Sequence, residues 1–451
     1  MTKTSASAAT PATIPTDRTH EPGLILRVHA ANRPPAQTYT GVASVELGTP
    51  VGENTVFNVG SVAKQITAYL CVRAARDRLL DLDRPVGDIL PRFQIPDVTI
   101  GDLIRHNGGI RDAESMLSLV GFRDLDHYTA DDLLQLAYRQ GHRAVEPGRF
   151  LYSNTGYLLL GAVLRHVHDA ALQEVADEQV FTPLGMTAAR FKSDPREVIP
   201  GAAASYRGTT PGWLHQERPV ALPGPGSLWC SAADLDQWLD HLHHEWQPCA
   251  DAALPFERQL GYRPSDHPPF TYGAGLYASR GPSRTAVFHY GHEQGFSAAT
   301  HLTSSGLRVI CLSNHAGIAA DSVVATVLAN LDPCSTADIG EVLSRSVQRR
   351  SEPPPSPTNH SDADPPHTPL GTYACDDVPG TVRLTRSEDS LYLWRRGTRD
   401  RLARTGSATY TGDGYTLTLP TATSGDDKLA INGFVLDLDR APGLHYRRRP
   451  D

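Results

Sequence analysis

The segment Phe57-Asn58-Val59-Gly60-Ser61-Val62-Ala63-Lys64 places a serine and a lysine three residues apart where a helix should begin. Upstream, Thr55-Val56-Phe57 is β-prone, and Gly60 permits a sharp turn. Downstream, Ile66, Leu70 and Cys71 recur at helical spacing, with helix-favouring residues continuing to about Arg76. The chain must therefore pass from strand to helix through a tight turn. Residues i and i+3 then share a helix face, and the Lys64 amine comes within reach of the Ser61 hydroxyl. A serine hydroxyl is a weak nucleophile until a neighbouring base takes its proton. A lysine serves as that base only where burial and nearby positive charge keep it neutral near pH 7. Alone, the pattern fits an ordinary helix start with a solvated lysine equally well.

Two further segments change that balance. Phe150-Leu151-Tyr152-Ser153-Asn154-Thr155-Gly156-Tyr157 follows the turn Glu146-Pro147-Gly148 and precedes the apolar helical run Leu158–Leu164. Tyr152 and Asn154 are expected on a short loop held between two elements, a common place for catalytic groups. A tyrosine hydroxyl near a lysine can relay a proton, and an asparagine amide can both donate to and accept from a substrate amide. The third segment, Val287-Phe288-His289-Tyr290-Gly291-His292, ends a β-prone run, with Gly295-Phe296-Ser297 beyond it. A glycine there lets a substrate backbone approach closely. Each segment alone could be a packed aromatic or a satisfied histidine.

Taken together, the three segments resemble the β-lactamase-related serine hydrolases. That family includes class C β-lactamases, DD-peptidases, D-aminopeptidases, esterases of the same fold and a few acyltransferases. Its members pair Ser-x-x-Lys with Ser-Asp-Asn and Lys-Thr-Gly motifs. Here the second motif is Tyr152-Ser153-Asn154, as in the class C-like branch, and His289-Tyr290-Gly291 resembles a His-x-Gly variant of the third. The likeness extends to Leu80–Val86, Leu103–Ile110, Phe181–Met186, Gly226–Trp229 before Ala233-Asp234-Leu235, and Cys311–Asn314.

The resemblance implies an α+β fold: an antiparallel sheet flanked by helices, plus an all-helical region. It implies that Ser61, Lys64, Tyr152 and His289 are catalytic, and that Asn154, Gly291 and His292 bind substrate. The backbone N–H groups of Ser61 and His292 would form an oxyanion hole. His289 stands where many relatives carry lysine or arginine, which disfavours tight binding of a β-lactam carboxylate. The implied activity is covalent acyl transfer from an ester or amide carbonyl, to water or to an amine. A biosynthetic transacylase or peptide cyclase is one alternative, and a ligand binder or sensor without turnover is another. The partners expected are a small-molecule or short-peptide acyl donor and, for a transferase, an amine acceptor. No cofactor or metal is expected.

Composition accords with this. The 451 residues suggest more than one domain, and 40% hydrophobic content supports a real core. A net charge of −8 gives no reason to expect nucleic acid or an anionic membrane as partner. No apolar run approaches transmembrane length, and Met1–Pro11 lacks the apolar segment of a secretory signal. Cys71, Cys230, Cys249, Cys311, Cys334 and Cys375 show no Cys-x-x-Cys spacing, so reduced thiols and a cytoplasmic location are expected. His241 and His244 share a helix face and could meet a metal, but a solvated helix end is the simpler reading. The Arg447-Arg448-Arg449 run reads as a solvated chain end, with an anionic substrate contact as the alternative.

Residues 1–20 should form a disordered leader and 21–335 the catalytic domain. A semi-rigid linker over 336–368 contains Pro353-Pro354-Pro355 and Pro365-Pro366. Residues 369–451 show short alternating runs separated by turns such as Gly412-Asp413-Gly414, which predicts an all-β domain. Gly371-Thr372-Tyr373 and Gly443–Arg447 resemble the lipocalin-like barrel appended to several relatives.

Overall fold

The computed structural model describes residues 20–30, 33–120, 127–216, 219–246, 263–279, 286–331, 370–387, 390–395, 398–419 and 433–450. The expected leader up to residue 19 and the linker over 336–368 lie outside the described residues, as do Cys249 and Cys334.

Alternation along the strands divides the region before the barrel into two cores. Its central sheet is antiparallel, and Leu24–His29 and Arg308–Ser313 lie side by side within it. Successive side chains on a strand point to opposite faces. Leu24, Leu26, Val28, Ala299, Val309 and Cys311 therefore share one face, where they pack against the helix Ala320–Asn330. Ile25, Ala298, Ile310 and Leu312 share the other, beneath the helices Lys64–Arg76 and Ala232–Trp246. The helix Asn154–His168 has ten consecutive buried residues from Thr155 to Leu164. A helix apolar all round belongs in a core, and this one forms the floor of the helical region.

The sheet is pinned to the rest of the chain by Asn314, immediately after strand Arg308–Ser313. Its Oδ1 accepts from Gly23 N–H at 2.7 Å, and its Nδ2 lies within bonding distance of the carbonyls of Val42, Ala43 and Ala204 at 3.1, 3.3 and 2.8 Å. One buried amide thus satisfies backbone groups from three separate segments.

The C-terminal region is a closed antiparallel barrel of eight strands in simple up-and-down order, from Gly371–Ala374 to Ala441–Arg448. Tyr373 and Ala374 close it by pairing with Arg448 and Arg447. Leu384, Leu391, Leu393, Leu417, Leu436 and Leu444 are fully buried. An eight-stranded barrel is just wide enough for such side chains to fill. The barrel docks on the helical region through Arg111, whose Nε and Nη2 donate to the carbonyls of Pro442 (2.8 Å) and Gly443 (3.1 Å). Arg111 also pairs with Asp377 at 3.3 Å, and Arg395 Nη1 donates to Ser118 O at 2.7 Å. Among the described residues no helix is long and apolar enough to cross a membrane.

Removing the Asn314 amide should strand buried backbone groups, each worth about 1–3 kcal/mol when left unpaired. Asn314→Ala is expected to destabilise the region before the barrel by about 3 kcal/mol, read from the urea transition followed by tryptophan fluorescence. An unchanged midpoint would show that the four contacts do not pin the sheet.

Candidate active site

Gly60, at φ +50°, turns the chain from strand Phe57–Asn58 into the short 3-10 turn Gly60–Ala63 that carries Ser61. The helix Lys64–Arg76 follows at once, so the Ser61-to-Lys64 spacing spans the junction. Lys64 is fully buried. Its Nζ lies 2.9 Å from Ser61 Oγ, 2.8 Å from Asn154 Oδ1 and 2.8 Å from Pro225 O. Burial, then the positive charge of Arg440, pulls the Lys64 pKa down to about 7, against the opposing carboxylates of Glu114, Asp112 and Glu293.

These partners determine how a neutral amine must sit. A neutral amine has two N–H donors and one lone pair. The Pro225 carbonyl and Asn154 Oδ1 can only accept, so they take the two donors. The lone pair is left facing the Ser61 hydroxyl. After proton transfer the ammonium donates to all three oxygens. The same heavy-atom arrangement therefore suits both states of the proton.

Tyr152 lies in the loop before the helix Asn154–His168, its ring centroid 4.9 Å from Lys64 Nζ. Burial raises its phenol above the ordinary range, outweighing the hydrogen bond to Ser61 and the Arg440 charge. The loop is anchored by His106, at φ +59°. Its ring centroid is 4.3 Å from that of Tyr152, and its Nδ1 accepts from Ser153 N–H at 3.2 Å. Burial keeps His106 neutral, well below its ordinary pKa.

Asn154 is not a loop residue, as expected from sequence, but the first residue of the helix, with Ser153 as its cap. Both ends of its amide are engaged: Oδ1 receives Lys64, and Nδ2 donates to Glu114. Its backbone N–H donates to Asp112 Oδ2 at 2.7 Å. Asn154 thus holds the Lys64 amine and also lines the cavity beside Ser61.

The third motif lies within strand Ala286–Glu293. A Cβ on Gly291 would fall 2.1 Å from Val59 O and 2.9 Å from Ser61 N, so only glycine fits. A Cβ on Gly60 would fall 3.1 Å from His292 N. The Gly60–Ser61 turn and the Gly291–His292 backbone are thereby packed closely against each other. The His289 side chain points into the interior. It is 1% exposed and faces inward on the same side of its strand as Gly291. Its Nδ1–H donates to Tyr290 O at 2.7 Å, leaving Nε2 to accept from Tyr272 O–H at 3.2 Å. Burial, then the Lys64 charge, lowers its pKa to about 3. His289 is a neutral support behind the site and does not line its cavity.

That cavity measures about 1000 Å³. Ser61, Tyr152 and Asn154 line one side, and Arg440 and Pro442 of the barrel line another. The Arg440 guanidinium carbon stands 4.7 Å from the Tyr152 ring centroid, and its carbonyl accepts from Asp112 N–H at 2.8 Å. The barrel arginine that lines the cavity is thus Arg440, not one of the Arg447–Arg449 run, where Arg447 is exposed beside Asp376. Sequence gives no sign of Arg440, Asp112 and Glu114, and it marks His106 only as part of the Leu103–Ile110 stretch. No local spacing marks them, because their partners are brought in by tertiary contacts. His241 is packed against Tyr69, its Nε2 3.0 Å from the hydroxyl, while His244 is exposed.

Residues 12–332 match the family described as Beta-lactamase. The chain belongs to that family. A D-aminopeptidase of Cereibacter sphaeroides is 24% identical over 322 residues, covering 69% of this chain and 61% of the relative. The chain thus spans less than two thirds of the length of the first curated relatives it matches. Among solved structures, SurE matches with a TM-score of 0.57 at 24% identity, over 96% of this chain and 95% of that one. The likeness therefore includes the barrel. D-amino acid amidase from Ochrobactrum anthropi SV3, complexed with L-phenylalanine amide, matches with a TM-score of 0.54 at 21% identity, over 65% of this chain and 86% of that one.

The protonation states carry a pH prediction for this beta-lactamase-family site. A base acts only when deprotonated, so Ser61 acylation by a neutral activated ester should rise with pH through about 7 as Lys64 loses its proton. Neutral His289 and the raised phenol of Tyr152 leave that range to Lys64. Stopped-flow acylation rates that stay flat between about pH 5 and 9 would contradict the assignment.

Proposed function

We propose that the protein is a serine acyl-enzyme hydrolase and acyltransferase acting on ester or amide, peptide-like carbonyls through Ser61. The observation that carries this reading is the buried Lys64 amine, 2.9 Å from Ser61 Oγ, with its pKa lowered to about 7. Ser61 Oγ attacks the carbonyl carbon while its proton passes to Lys64. The carbonyl π pair moves onto oxygen, where the Ser61 and His292 amides receive it. Each such donor contributes roughly 3 kcal/mol in the subtilisin example. On collapse, the leaving alcohol or amine takes a proton from the Tyr152 phenol, which recovers one from Lys64. Tyr152 suits this role because burial keeps it protonated. Water or an amine then releases the acyl group by the reverse sequence. The relatives named a D-aminopeptidase and a D-amino acid amidase favour an amide of a D-amino acid as a substrate class.

A fluorophosphonate or activated ester should add its mass to the peptide containing Ser61, and Ser61→Ala should remove both labelling and turnover. Label on another residue, or undiminished turnover in the alanine variant, would sink the mechanism. Labelling without any turnover would favour the sensor alternative.

The cavity supports transfer to an amine as a second reading. At about 1000 Å³ it sits at the upper end of small-molecule sites, leaving room for two reactants, and the barrel supplies one wall. An amine held against the acyl carbon can gain several kcal/mol from proximity, about 7 in well-oriented cases. Turnover of an ester donor with increasing D-amino acid amide should yield amide product in proportion to acceptor. Acid alone at every acceptor concentration would leave a hydrolase.

A further inference from the structure

The C-terminal barrel reaches further into this centre than a wall needs to. Its last hairpin turn, Asp439-Arg440, and the start of the strand after it are held by three hydrogen bonds from two residues. Asp112 N–H binds Arg440 O, and Arg111 binds the carbonyls of Pro442 and Gly443. Asp112 also receives the backbone N–H of Asn154 and caps the helix Ala113–Val120 through Ser115 N–H at 3.0 Å. The turn carrying Arg440 and the helix carrying Asn154 thus share one buried carboxylate residue. At the tip, the guanidinium and the Lys64 amine approach the same Tyr152 ring, at 4.7 and 4.9 Å from its centroid.

We propose that Arg440 is a positioning residue that makes the barrel an electrostatic part of the proton-handling set Ser61, Lys64 and Tyr152. This rests on the acyl-enzyme reading above. The guanidinium holds the Tyr152 ring by cation–π attraction. As a fixed charge, it also opposes a second cation at Lys64. The groups facing Lys64 are Arg440, Glu114, Asp112, Glu293, Tyr152 and Tyr157, with the neutral rings of His106 and His289 behind. Those facing Arg440 are Asp112, Glu114, Asp439, Tyr152 and Tyr290. Three carboxylates favour the charged amine, and among these groups Arg440 is the permanent cation that offsets them. Without Arg440, the acids would hold Lys64 protonated to higher pH.

The experiment uses the full-length protein and p-nitrophenyl acetate, a neutral donor without a carboxylate, so that contact with a substrate anion plays no part. Acylation rate against pH is compared for wild type, the neutral variants Arg440→Gln and Arg440→Met, and the charge-retaining Arg440→Lys. The neutral variants should move the acid limb upward by roughly one pH unit, and Arg440→Lys should return it most of the way. Using two neutral variants guards against one of them failing to fold. A uniform loss at all pH with an unmoved limb would overturn the proposal and leave Arg440 a structural tether. With a carboxylate-bearing p-nitrophenyl ester run in parallel, loss confined to that donor, seen as a raised KM with the limb in place, would overturn it in favour of a substrate contact. Mass labelling of wild-type Ser61 in the same experiment separates these outcomes from failure of the acyl-enzyme reading itself.

Discussion

Everything at this site depends on burying one amine. A lysine withdrawn from water resists charging, and Lys64 is fully withdrawn. Its three oxygen neighbours prevent that burial from being a defect, since each is at bonding distance in either protonation state. Other features follow from this requirement. Pro225 O must face inward, and the Gly224–Ser227 segment makes that possible. Gly224, at φ +115°, passes so close to Tyr157 O that a Cβ would meet it at 2.7 Å, and Gly224 O is held by Thr67 at 2.8 Å. Asn154 must present its oxygen, and Glu114 fixes the amide's orientation by accepting from the nitrogen.

What sequence could show of this was the part built by short-range periodicity. The Ser61-to-Lys64 spacing is a property of one turn of backbone, so it was legible without any fold. The alternating runs after Gly371 carried the barrel for the same reason: strands that must fill a closed interior repeat every second residue. Strand parity also decides His289. It lies on the same face of its strand as Gly291, which is pressed onto Ser61, so it is committed to the interior, and a motif reading alone does not reveal what lies behind it. Asn154 was placed on a loop because the tyrosine before it is on one. Ser153, which accepts from Gly156 N–H, starts the helix at Asn154, four residues before the apolar run Leu158–Leu164.

Arg440 and Asp112 were illegible for a different reason. Their significance is a distance between segments far apart in sequence, and neither stands in a pattern that sets it apart from other turn arginines and helix-capping aspartates. The conspicuous cluster, Arg447–Arg449, drew attention by density. An isolated arginine at a hairpin tip has no such signature, yet the tip is where an up-and-down barrel touches its neighbour. The family match, too, ends at residue 332, before the barrel begins.

The arrangement explains why the barrel must dock with precision and not merely lie nearby. A fixed charge acting on Lys64 loses effect with distance and with any water admitted between them. The docking contacts accordingly involve buried groups rather than solvated ion pairs: Arg111 is buried against Asp377 and two backbone carbonyls. Surface pairs contribute little because solvent screens them. A backbone carbonyl, by contrast, cannot shift without moving its strand. By anchoring Pro442 and Gly443, the helical region fixes the turn bearing Arg440. Asp112 then ties that turn to the helix bearing Asn154. The Lys64 amine is consequently set by two regions of the chain at once, and a change in the barrel that shifted its last hairpin would reach Lys64 and Ser61 without touching any residue of the three motifs.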